Sequence, residues 1–273
     1  MTCPADDGPT TRLDQALVAR GLARSRAVAA DLVQDGRVRV DGTVAQKASM
    51  RVCEDTAVAV EGEPERWVGR AAYKLVAALQ AFPVDPSEAR CIDVGASTGG
   101  FTQVLLDAGA RQVVALDVGH DQLAAVVADD PRVIEMSGVN VRDLDPERVG
   151  GPADVVVADL SFISLRLVLG TLARFTAPTG DLVTLVKPQF EVGRERLGRT
   201  GVVISAQQHA EVLRKVVEHA QAAALHVHGL LRSPVVGGSG NTEYLMWARP
   251  ASEGKMTDVA IEEFVSGVAG EQR

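Results

Sequence analysis

Apolar positions along the chain change period near residue 90, and that change divides the sequence into two kinds of structure. Leu13, Ala16 and Leu17, then Ala29, Leu32 and Val33, recur at helical spacing on two short segments broken at Gly21. Arg37-Val38-Arg39-Val40 then alternates as a strand does, ahead of the turn dipeptide Asp41-Gly42. The pattern predicts helix, helix, small sheet. Beyond residue 90 the apolar stretches become short and continuous, as in strands covered on both faces: 90–94, 113–117, 132–135, 153–158, 182–186, around 225–231, and 243–248. Between them, 101–110, 164–175 and 207–223 have helical patterning and lengths suited to parallel crossovers. The expected fold is α/β: a doubly wound, Rossmann-like sheet with helices on both faces, preceded by a small α+β domain. The glycine-rich turn 237–241 suits a last strand that returns antiparallel.

Length and composition refine this picture. A chain of 273 residues fits one catalytic domain plus a small module. The boundaries expected are 11–60, a polar linker at 61–70 containing Glu61-Gly-Glu-Pro-Glu-Arg66, a larger domain at 71–250, and a tail at 251–273. No run approaches the roughly 18 apolar residues of a spanning helix, and the N-terminal residues lack a basic segment followed by an apolar stretch. A cytoplasmic protein is therefore expected. Cys3, Cys53 and Cys91 are widely spaced without a ligand pattern, which suits reduced thiols and no metal; His120, His209, His219, His226 and His228 also lack metal-site spacing.

The net charge of −8 disfavours nucleic acid only if charge is uniform. It is not: between Arg12 and Arg51 eight basic residues face four acidic ones. Ser25 is placed to cap the second helix, beside arginines and helix-terminal amides that suit phosphate. Arg12, Arg20, Arg24, Arg26, Arg37 and Lys47, set among Asp35-Gly-Arg-Val-Arg-Val-Asp-Gly42, resemble the S4-type RNA-binding domain. The resemblance implies that these six residues contact RNA, chiefly its phosphates.

In the larger domain, the strand at 90–94 enters a turn formed by Gly95, Ala96, Ser97, Thr98, Gly99 and Gly100, with Phe101 and Thr102 opening a helix. Glycines allow a tight turn and close approach to a ligand, and Asp117, ending the next strand, is placed to accept hydrogen bonds from ribose hydroxyls. The spacing is not the GxGxxG of dinucleotide folds. Asp93-Val-Gly95 with Gly99-Gly100 resembles the pocket of class I methyltransferases, which implies S-adenosyl-L-methionine as cofactor, bound by this turn, Asp117, Asn140 and Asp159.

Methyl transfer to a hydroxyl needs an oriented nucleophile and a base, and lysine serves as a base only when a nearby cation or burial favours its neutral form. Asp159 and Lys187 follow buried strands, Lys74 opens a helix, and Glu243 begins the last strand. In that order they resemble the catalytic tetrad of ribose 2′-O-methyltransferases, which implies that Lys187 is the base and that Lys74, Asp159 and Glu243 shape its protonation and hold the hydroxyl. With Asp159-Leu-Ser-Phe162 and Lys187-Pro-Gln-Phe-Glu191, residues 11–250 are similar to the TlyA family of bacterial ribosomal RNA methyltransferases. That resemblance implies cytidine 2′-O-methylation of 16S and/or 23S RNA, with ribosomal subunits as partners. Phe162 is a candidate to stack on a target base. Two other functions are weighed: a membrane-active haemolysin, a label also carried in this family, and an RNA-binding protein with an inactive methyltransferase domain. The sequence offers neither a spanning helix nor the long alternation of a barrel.

Overall fold

A computed structural model describes residues 10–23, 26–62, 66–198 and 200–270. Cys3, Arg24, Ser25 and Glu65 of the sequence reading lie outside the described residues. The chain divides after Arg66 into two units.

The first unit runs β1 (Thr11–Arg12), α1 (Leu13–Ala19), α2 (Arg26–Gln34), β2 (Val38–Val40), β3 (Thr43–Val44), β4 (Arg51–Val52) and β5 (Val58–Val60). β2 lies between β3 and β5, antiparallel to both, while β1 and β4 form a separate antiparallel pair. Asp41 and Gly42 both have positive φ, at 48° and 78°. That pair of left-handed residues is what a two-residue hairpin requires, and it aligns Val40 with Thr43. Leu13, Leu17, Ala29, Leu32 and Val38 bury the facing sides of the two helices and the sheet. Against the expectation of three reduced thiols, Cys53 is disulfide-bonded. Cys91, in the second unit, is free and buried.

The second unit begins with α3 (Ala72–Ala81) and continues β6 (Arg90–Val94), α4 (Gly100–Asp107), β7 (Gln112–Asp117), α5 (Ala125–Ala128), β8 (Val133–Ser137) and β9 (Ala153–Ala158). α6 (Leu169–Phe175), β10 (Thr176–Val186), α7 (Pro188–Glu191), α8 (Ala206–Ala222), β11 (His226–Arg232), β12 (Tyr244–Arg249) and α9 (Asp258–Gly270) complete it. The seven strands lie in the order β11-β12-β10-β9-β6-β7-β8. β12 is antiparallel to both of its neighbours, and the β10, β9, β6, β7, β8 ladders are all parallel. This is the doubly wound sheet, with an antiparallel last strand, that the alternating pattern predicts.

Strands such as Ala153–Ala158 are apolar because helices cover both faces of the sheet. One face packs on Leu75, Phe101, Leu105 and Trp67, the other on Leu169, Phe175, Leu213 and Val265. In α8, His209, Ala210, Val212, Leu213, Val216, Val217 and Ala220 form one buried stripe, and the Ser205 hydroxyl caps the helix by accepting from Gln208 N. What the sequence reading leaves as a tail contains α9, whose Ile261, Val265 and Val268 are buried. Strand order reverses between β6 and β9, and an open α/β sheet binds ligands at the carboxyl ends of the strands flanking such a point.

Candidate active site

At that switch point the turn after β6 is held by its own backbone. Gly95, Ser97 and Gly99 have φ of 85°, 48° and 91°, and the Gly95 and Ala96 amides both donate to Leu116 O at the end of β7. The Asp117 carboxylate accepts from Ser97 N and Gly119 N, each at 2.8 Å, tying the turn to β7. A carboxylate offers about four acceptor positions, so Asp117 keeps capacity toward the adjacent cleft. That cleft, of about 470 Å³, is walled by Gly95, Ser97, Asp117, Asn140, Asp159 and Phe162 among others. A nucleoside-sized ligand with ribose hydroxyls fits its volume and its acceptors. A second cleft of about 270 Å³ shares Gly95, Ser97, Asp159 and Ser161 and adds Ala96, Thr98, Gly100, Phe101 and Lys187.

The other candidate cofactor residues lie deeper. Gly99 packs against Leu123 and Val127. Thr102 is fully buried, and its hydroxyl donates to Asp93 Oδ2 at 2.7 Å. Neither walls the two clefts. Asn140 both walls the larger cleft and caps a short 3₁₀ turn, accepting from Arg142 N at 3.0 Å.

The four charged residues come together because the sheet places their strand ends side by side. β10 runs parallel to β9 with Thr184 opposite Ala158, so Asp159 and Lys187 leave the sheet at the same edge. β12 runs the other way, with Tyr244 opposite Val186, which brings the residue before it, Glu243, to that edge as well. Lys74, in the first turn of α3, completes the group. Its Nζ is 2.6 Å from Glu243 Oε2 and 3.3 Å from Asp159 Oδ2. Lys187 Nζ is 2.6 Å from Asp159 Oδ1, off the hydrogen-bond axis, and donates to Ser161 Oγ at 2.9 Å. The result is a line of alternating charge, Lys187–Asp159–Lys74–Glu243.

Burial opposes charge on Lys74, yet Asp159 and Glu243 together outweigh it and hold its proton more tightly than in water. Lys74 is therefore a fixed ammonium, while Lys187 is the lysine of the pair that walls the smaller cleft. Gln189 Nε2 lies 3.4 Å from Glu243 Oε1, and Gly237 approaches that oxygen so closely that a Cβ there would lie 2.5 Å from it. Phe162 is 92% exposed with φ of 64°, its ring 5.2 Å from that of Phe190. Sequence reasoning missed Ser161, Gln189, Phe190 and Gly237. Ser161, Gln189 and Phe190 lie within the two motifs it used, but only the fold aims their side chains.

Beneath the site, burial pushes the Asp93 carboxyl up to about 7, helped by the negative charges of Asp159 and Asp117 and opposed by the Thr102 hydroxyl. Its Oδ1 has no hydrogen-bond partner among the described residues. Because the folded protein binds this proton more tightly than the unfolded chain, the group stabilises the fold fully below about pH 4. That contribution is lost as the pH rises through about 7. The stability advantage of Asp93→Asn over the parent is thus expected to grow by on the order of 4 kcal/mol between about pH 4 and about pH 8. Urea unfolding at the two pH values measures it; an advantage that does not change with pH would mean that Asp93 titrates alike in the folded and the unfolded chain.

In the first unit the basic residues are less free than their number suggests. Arg20 donates to the carbonyls of Cys53, Glu54 and Thr56, holding the loop before β5. Arg12 and Arg26 both pair with Asp14, at 2.9 and 3.2 Å, and the Arg12 hydrogen bond leads in lowering the Asp14 carboxyl to about 2. Arg37 donates to Glu61 O, and exposed Lys47 walls an open groove of about 660 Å³ beside the β2–β3 hairpin. Among the described residues no helix is long and apolar enough to cross a membrane, and no cluster is suited to a metal ion.

Comparison with known proteins agrees with this architecture. Residues 67–250 match the FtsJ-like methyltransferases and residues 11–58 match the S4 domain. The chain is 48% identical over 255 residues to the 16S/23S rRNA (cytidine-2′-O)-methyltransferase TlyA of Mycobacterium tuberculosis, covering 93% of this chain and 95% of the relative. Hemolysin A of Brachyspira hyodysenteriae is 32% identical, covering 86% and 98%. A solved structure from Streptococcus thermophilus that carries a hemolysin label superposes with a TM-score of 0.75 at 37% identity, covering 96% of each chain. An S4 domain ahead of an FtsJ-like sheet, both matched end to end by such relatives, means that this chain belongs to the TlyA family of S-adenosylmethionine-dependent methyltransferases.

Proposed function

We propose that the chain methylates the 2′-hydroxyl of cytidine in 16S and/or 23S ribosomal RNA, with Lys187 as general base. The observation that carries this reading is the buried line Lys187–Asp159–Lys74–Glu243, which ends on a lysine facing a cleft beside the cofactor turn. When bound, S-adenosylmethionine supplies a methyl group activated by its sulfonium. Neutral Lys187 accepts the proton that the ribose O2′ loses as that oxygen gains the methyl carbon. Asp159 holds the resulting ammonium at 2.6 Å, and Lys74 with Glu243 holds Asp159. Gly95, Ser97, Asp117 and Asn140 are the cofactor's walls on this reading, and Phe162, exposed beside them, is the platform for an unstacked base.

The first unit contributes RNA affinity through phosphate contacts, with Arg12, Arg26, Arg37 and Lys47 its described candidates and Arg20 serving the fold. Substrate choice is supported by the named activity of the Mycobacterium tuberculosis relative, a ribosomal RNA cytidine-2′-O-methyltransferase. Mass-spectrometric mapping of ribose methylation in ribosomal RNA from cells with and without the gene tests the proposal. The expected result is the loss of methyl groups from defined cytidines, restored by the gene and not by a Lys187→Ala copy. Identical methylation in both strains would refute it.

A further inference from the structure

Lys187 is gripped from two sides, and one of them belongs to no part of the proposed charge line. Ser161, three residues beyond the end of β9, is exposed and walls both clefts, and its Oγ accepts a hydrogen bond from Lys187 Nζ at 2.9 Å. The Asp159 contact to the same nitrogen is an ion pair off the hydrogen-bond axis, so Ser161 provides the aligned partner. The loop does not need this hydroxyl to hold its shape. Asp159 N is fixed to Val94 O at 3.1 Å, and Glu191 accepts from Ser164 Oγ and Leu165 N at the far end. Nor is Ser161 a buried polar group requiring satisfaction, since it stands in solvent.

A lysine nitrogen has three directions besides its bond to Cε. In the neutral amine two carry N–H and one carries the lone pair. We propose that Ser161 is a positioning residue: its Oγ fixes one N–H direction of Lys187 while the ion pair with Asp159 anchors the nitrogen, and the two together turn the lone pair toward the ribose hydroxyl. Asp159 alone leaves the amine free to rotate about the Cε–Nζ bond, and an amine that points an N–H at the hydroxyl accepts no proton. The inference rests on the reading of Lys187 as the base.

Single-turnover methylation of unmodified ribosomal RNA by the full chain, at saturating RNA and cofactor, tests it with Ser161→Ala, Ser161→Thr and Lys187→Arg in parallel. Lys187 becomes an ammonium as it takes the proton, and loss of one hydrogen bond to such a developing charge corresponds to about 10- to 100-fold, so Ser161→Ala is expected to slow the chemical step by that factor. Its half-saturating RNA concentration and its calorimetric affinity for S-adenosylmethionine are expected to stay within about twofold of the parent, the pattern of a loss confined to the transition state. Ser161→Thr keeps the hydroxyl and is expected to recover most of the rate. Ser161→Ala at the parental rate while Lys187→Arg is inactive overturns the role of Ser161 alone. Cofactor affinity falling in step with the rate overturns it too, by making Ser161 a cofactor contact, and so does a threonine variant as slow as alanine. An active Lys187→Arg instead removes the base reading on which the inference stands.

Discussion

Lys187→Arg is expected to fold, bind S-adenosylmethionine and associate with RNA like the parent, and yet to methylate about 10³-fold more slowly in a single turnover, within the usual range for loss of a general base. Arginine preserves the positive charge beside Asp159 and can pair with it. It does not give up its proton in the usable pH range, so it has nowhere to put the proton of the ribose hydroxyl. The substitution therefore separates two tasks that Lys187 could perform, accepting a proton and attracting a phosphate. A rate near that of the parent would assign Lys187 to phosphate and leave the reaction without its base.

The second large effect is expected at Gly95, which carries the cofactor turn at φ 85°. A Cβ there would lie 2.7 Å from Asp159 O and 3.2 Å from Asp159 C, both backbone atoms. Gly95→Ala therefore has to move the residue that joins the two lysines, and a displacement of about 1 Å at a reacting centre lowers rates by about 100-fold. Left-handed strain adds about 1–3 kcal/mol of lost stability. Gly151→Ala is the control, because Gly151 has the same φ of 85° with nothing within 4 Å of its Cβ position. Melting temperature and kcat/KM measured on both variants should show stability lost in each and activity lost only in Gly95→Ala. Equal activity in the two would mean that the contact with Asp159 can relax without consequence.

The sheet was legible because its strands are continuous apolar runs separated by helices of crossover length, a pattern that burial on both faces imposes over several residues at a time. The four charged residues were legible as a set through their resemblance, in chain order, to a known tetrad, and each could be placed because it lies at a strand or helix end. Their distances were not, since these depend on the antiparallel entry of β12 beside β10. Arg20 shows the same limit from the other side. Its partners lie more than 30 residues away, in the carbonyls of 53–56, so its sequence context reads as free positive charge when the fold has already used it. Asp14 likewise pairs with two arginines that local counting treats as unengaged, and offsets one of their two charges. β1 and β4 are two residues each and too short to carry a period. α9 did carry one, with Ile261, Val265 and Val268 at helical spacing; its position after a turn-rich stretch made it resemble an unstructured end.

The late insertion of β12 between β10 and β11 has a genetic consequence. A frameshift or stop codon before codon 243 removes an interior strand of the sheet and one of the four charged residues at once, whether it falls early or late in the reading frame.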